Sequence, residues 1–204
     1  MKRKPVEPPA LISEWPLPTA ATLGSAVRAK GILLEMRAKL PAAMRKHLDI
    51  RPGLLVLGMP AGSDQEFART SEAVARNLVG IENMPIIPRE IQDILTISTT
   101  ERHRWLKDGR LPSAGTRTVK LRGRARKITF HVFDPRIVED ILDTDRVTEW
   151  READALAAAE NRRQAAWKRR LAREQLTSLP ADTRSEADPG LVGWAEFERD
   201  GPLR

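Results

Sequence analysis

Only two residues, Thr96 and Ile97, separate one helical pattern from the start signal of the next, and this short spacing restricts the fold more than any other feature of the chain. Pro88 followed by Ile91, Ile94 and Leu95 reads as a short helix with a single apolar stripe that needs a partner to cover it. Ser98-Thr99-Thr100-Glu101 reads as a capping box: the Ser98 hydroxyl accepts from the Glu101 N–H, and the Glu101 carboxylate accepts from the Ser98 N–H. So short a linker allows only a sharp helix-turn-helix crossing. Gly109 closes the second helix after Trp105 and Leu106, and Leu111-Pro112 leads the chain away.

The stretch beyond Pro112 is patterned as a hairpin and a closing helix. Residues 116 to 121 and 128 to 133 are β-branched and apolar with alternation, around an Arg122-Gly123-Arg124-Ala125 turn. Asp134-Pro135 supplies a helix cap and a first-turn proline, and Ile137, Val138, Ile141 and Leu142 form the apolar face of that helix. From Ser98 to Arg136 there are eleven Lys or Arg against Glu101, Asp108 and Asp134, an excess of eight. The whole chain carries +7, so the remaining residues sum to about −1 and the positive charge is local. A localised positive field on a small rigid motif suits phosphate neutralisation, whereas the same charge spread evenly would speak only to solubility.

The run Glu90, Ile91, Ile94-Leu95, Ile97-Ser98, Arg104-Trp105-Leu106 and Gly109-Arg110-Leu111-Pro112 resembles the winged helix-turn-helix domains of the phage excisionase and MerR-type families. The resemblance covers residues 86 to 142 and no more. It departs at three positions: the family's small Ala in the first helix is Gln92, its turn glycine is Thr96, and an aliphatic of the second helix is Arg102. An arginine turned into a small core is costly unless only its stem packs, so either Trp105 takes the core role or the second helix is rotated. The resemblance implies a second helix in the major groove and a wing near the adjacent minor groove or backbone. The DNA-contacting residues expected on that basis are Thr99, Thr100, His103, Arg104 and Lys107 on the helix, and Arg117, Lys120, Arg122, Arg124, Arg126 and Lys127 on the wing. Thr99, Thr100 and Arg104, near the helix start, are the candidates for base edges.

The expected fold class is mainly α: a winged helix-turn-helix core (85–142), a helical N-terminal subdomain (20–82) and a long charged C-terminal helix (143–177). A flexible Pro-rich arm (1–19) precedes them and a mostly disordered tail (178–204) comes after. In the N-terminal part, Val27, Leu33, Leu34, Met36 and Leu40 mark a helix weakened by Gly31, and residues 42 to 48 suggest a shorter one. Residues 54 to 57 fit helix or strand, and Ser63-Asp64 opens a helix through Leu78. On a heptad over the C-terminal helix, Trp150, Ala157, Trp167 and Leu171 line an imperfect seam, the basis for expecting a homodimer.

Several functions are disfavoured. The chain has no Cys, which removes disulfides, thiolate metal sites and cysteine nucleophiles. His47, His103 and His131 are scattered, and no acidic cluster stands out from ordinary surface, so neither a metal, a cofactor nor catalysis is expected. Gly58-Met59-Pro60-Ala61-Gly62-Ser63-Asp64 lacks the Lys-Ser/Thr of a phosphate loop. No apolar run approaches the roughly 20 residues of a membrane span, no export signal is evident and no small-molecule ligand is indicated, so a cytoplasmic, nucleoid-associated protein is expected. The sequence thus points to a double-stranded DNA-binding protein, first a transcriptional regulator of a bacterial, phage or mobile-element gene. The alternatives are an accessory protein of recombination, plasmid replication or partition, or DNA packaging, and a module that docks an acidic protein partner.

Overall fold

Leu11, Ser13 and Trp15 are half-buried while Ile12, Glu14 and Pro16 are exposed, the two-residue alternation of a strand with one face on a core. In the computed structural model, which describes residues 9–120 and 127–178, this segment is β1 (Leu11–Pro16). Over these residues the expected flexible arm is therefore corrected. The prolines misled because an edge strand tolerates them: Pro16 ends β1, where no further ladder donor is needed.

Two further strands, β2 (Leu48–Arg51) and β3 (Leu54–Met59), form a hairpin through Pro52-Gly53, where Gly53 takes the left-handed φ of 72° that the tight turn requires. The sheet order is β1-β3-β2, antiparallel throughout, with Leu11 opposite Met59 and Leu48 opposite Leu57. β3 lies in the middle, which is why its sequence is a continuous apolar run, with Leu55, Val56, Leu57 and Met59 buried. The short helix α1 (Thr19–Thr22) leads to α2 (Ala26–Lys39), whose cap, Ser25, accepts the Arg28 N–H at 3.0 Å. α2 lays Ile32, Leu33 and Met36 into a core shared with Leu48, Leu55, Leu57 and Met59 of the sheet. α3 (Asp64–Leu78) adds Val74 from the β1 side. The 20–82 region is thus α/β rather than helical. Residues 42 to 48, expected as a helix, form a turn with a single 3-10 turn at Arg45–His47, because Leu48 is claimed by the sheet.

Next come α4 (Pro88–Ile94), α5 (Thr99–Lys107), the hairpin β4 (Thr116–Lys120) and β5 (Lys127–His131), and α6 (Pro135–Asp143). Ile86 and Phe133 exchange both backbone hydrogen bonds at 2.9 Å, stitching the chain before α4 to the end of the hairpin. As expected, Asp134 caps α6 by accepting the Arg136 N–H at 2.9 Å. Regions 20–82 and 85–142 are not separate bodies. They belong to one compact unit, Met1–Val147, in which α2 packs on α4. The whole is mixed α/β: helix predominates among the described residues, as the mainly α expectation has it, and the three-stranded antiparallel sheet is what that expectation lacked.

The second unit begins at Thr148, within α7 (Arg146–Ser178). α7 carries pairs of its own, including Arg170 with Glu174 at 2.9 Å and Arg163 with Glu160 at 2.5 Å, which support an exposed helix. Trp167 is 59% exposed. Trp150, expected on the same seam, is buried, unlike Trp167. The expected tail lies outside the described residues beyond Ser178. No helix among the described residues is long and apolar enough to cross a membrane.

Candidate functional site

The turn between α4 and α5 bends through Thr96, whose φ of 53° lies in the left-handed region that a β-branched residue resists. Both halves of the capping box form: Glu101 N–H donates to the Ser98 hydroxyl at 3.2 Å, and Ser98 N–H donates to the Glu101 carboxylate at 2.7 Å. Gln92, where the sequence departs from a small residue, reaches α5. With its amide oriented to satisfy both ends, its oxygen accepts from the Thr99 N–H at 3.0 Å and hydroxyl at 2.7 Å, while its nitrogen donates to the Pro88 carbonyl at 3.2 Å. Gln92 thereby fixes the start of α5. Ile91, Ile94, Leu95, Ile97, Trp105 and Leu111 are buried around the turn.

At about 100° per residue, Thr99, His103, Lys107, Thr100 and Arg104 fall on one arc of α5, and all five are exposed. The opposite arc buries Arg102 and Trp105. Trp105 is fully buried, so it does take the core role, and Arg102 is buried on the same side of the helix. Burial draws the Arg102 pKa below its ordinary value. Arg110 is engaged elsewhere, paired with Asp108 at 2.6 Å and lying over the Trp105 ring at 5.8 Å.

In the hairpin, Thr116 faces His131 and Lys120 faces Lys127, so two lysines stand directly opposite in the ladder at its described end. The Thr118 and Thr129 hydroxyls hydrogen-bond at 2.7 Å across the same face. Arg117 is turned back onto α2, where it pairs with Glu35 at 3.2 Å, so its charge is already partly compensated. Arg122, Arg124 and Arg126 lie outside the described residues. Among the described residues no group of His, Asp and Glu could hold a metal ion.

Sequence reading missed the device that holds α4 in place. Arg28 is fully buried, its Nε donates to the Ala21 carbonyl at 2.7 Å, one terminal nitrogen donates to the Met84 carbonyl at 2.5 Å, and the other reaches Glu90 at 3.1 Å. The same Glu90 oxygen accepts the Ile87 N–H at 3.1 Å, capping α4. Desolvation raises the Glu90 pKa and lowers that of Arg28, and their mutual attraction opposes both shifts. Ser25 adds a bond to Asp93 at 2.6 Å. The same contact accounts for Gly31: a Cβ at this position would run into the Glu90 carboxylate. The available signals were an acid beside an apolar stripe and a glycine inside a helix, neither of which names its partner.

No family model matches the chain, and neither a curated protein nor a solved structure matches it significantly.

Proposed function

We propose that this chain is a sequence-specific double-stranded DNA-binding protein of the winged helix-turn-helix kind, with transcription regulation as its role. The observation that carries the reading is the two-sided character of α5. Its inner arc is held by Trp105 and its start by the capping box and by Gln92 on Thr99, and its outer arc presents the Thr100 hydroxyl, an imidazole, a guanidinium and an ammonium group. Such a set can donate to phosphates and meet base edges, and it stands on a rigid element. The opposed Lys120 and Lys127 support it further, because like charges across a ladder are unfavourable in isolation and are relieved by an anion between them. Arg122, Arg124 and Arg126 would extend that charge by sequence.

Footprinting on DNA flanking the gene tests this reading. A protected operator overlapping the promoter is the expected result. Protection confined to repeated sites at an attachment or replication origin would move the role to recombination or replication, and no protection would leave docking of an acidic protein.

A further inference from the structure

Arg102 is only 9% exposed on the inner arc of α5, yet among the described residues no carboxylate pairs with it. Its Nε is fully enclosed and has no hydrogen-bond partner, and one terminal nitrogen lies 3.0 Å from Nε2 of His103. Because the guanidinium always donates, the imidazole nitrogen is the accepting side of this contact. Nε is the only Arg102 nitrogen both enclosed and unpartnered, and the contact of the terminal nitrogen with exposed His103 is part-buried, so the fork lies nearer the surface than the stem.

A largely buried guanidinium with an unpartnered Nε and a single imidazole acceptor is a poor structural choice. Leaving a buried donor unsatisfied is costly, and an apolar side chain of similar length would fill the same space without that penalty. Arg28 shows the contrast within the same unit: it is at least as enclosed, but its donors meet two carbonyls and a carboxylate. What Arg102 lacks is an anion. We propose that the Arg102 guanidinium edge beside His103 is a phosphate-binding site, completed by a backbone phosphate when duplex DNA lies against α5. This rests on the DNA-binding reading and adds to it a residue outside the exposed arc. The shared chemistry is a phosphate oxygen accepting a charge-assisted hydrogen bond from the fork, so free phosphate is the other source to be distinguished.

The test uses the full chain and Arg102→Met, which keeps the stem and removes the donors. Duplex DNA of mixed sequence is titrated between low and moderate salt by fluorescence anisotropy. The variant is expected to bind about tenfold more weakly at low salt, with the slope of log K against log salt reduced by about 0.9. A parallel thermal-shift series in inorganic phosphate, against chloride at equal ionic strength, is expected to raise the wild-type Tm more than the variant's. Arg102→Lys, which keeps the charge without the fork, should recover the salt slope and only part of the affinity. An unchanged slope in Arg102→Met, whatever its Tm, overturns the proposal. If the wild type binds no duplex, the DNA reading fails and the phosphate series decides this one: equal shifts in wild type and variant overturn it, and a larger wild-type shift leaves a phosphate site without DNA.

Discussion

Gly31 in the middle of α2 would ordinarily invite replacement, since Gly to Ala inside a helix stabilises by about 1 kcal/mol. Here the sign reverses. The added methyl meets the Glu90 carboxylate and pushes on the buried ion pair, so Gly31→Ala should lower the urea midpoint. Glu90→Ala should cost more, about 3–5 kcal/mol, because it strands Arg28 without its counter-charge, whereas Arg28→Met combined with Glu90→Leu should recover much of that loss. A double-mutant cycle in urea measures both. Thr96 offers the opposite opportunity: its left-handed φ is free for glycine, and Thr96→Gly should stabilise by about 1 kcal/mol, read as a higher midpoint at unchanged slope.

Among the elements, α5 and the β4-β5 hairpin carry separable contributions. Arg104→Ala should cost about 1–3 kcal/mol at a preferred site and little on random duplex, whereas equal losses on both would assign Arg104 to phosphate alone. Lys120→Glu should act on the two properties in opposite directions. It turns the Lys120–Lys127 repulsion into an attraction and steadies the hairpin, while weakening binding to every duplex sequence and reducing the salt slope. Amide exchange in β4 and a salt titration read the two effects. These elements were legible in sequence because local chemistry writes them: a capping box, a two-residue linker, Asp-Pro before α6, alternation across the hairpin. β1 and the Arg28–Glu90 pair were not, because each is defined by a partner far along the chain, Leu54–Met59 for the strand and α2 for the glutamate. Arg102 was legible as an anomaly, and its burial became visible only with α5 docked.

At the scale of the molecule, the buried pair and the α2–α4 packing lead us to expect the described residues of the first unit to unfold together rather than as modules. A fragment starting at Pro85 should therefore lack independent thermal unfolding, while truncation after Val147 should leave a single sharp transition. The same truncation tests assembly. With Trp150 buried, a seam on α7 is left with Ala157, Trp167 and Leu171, and we expect it to hold a weak dimer. Sedimentation at micromolar concentration should show the full chain as larger than a monomer and the truncated chain as a monomer. A monomeric full chain would instead make Arg162, Arg163, Lys168, Arg169 and Arg170 candidates for extra phosphate contacts.

The register of β1 has a consequence for how the chain is made. Leu11 pairs with Met59, and β1 has no other strand neighbour among the described residues, so this early segment must wait for β3 to leave the ribosome before its backbone donors and acceptors find partners. During that interval Leu11, Ile12 and Trp15 stand in water on an unpaired strand, the kind of segment that pairs with a neighbouring nascent chain when many ribosomes share one message. Slower synthesis through residues 17 to 53 would lengthen that exposure, and a polar fusion placed ahead of Leu11 would shield it. Soluble yield is therefore expected to respond to substitutions in β1, far in sequence from the surface proposed to meet DNA.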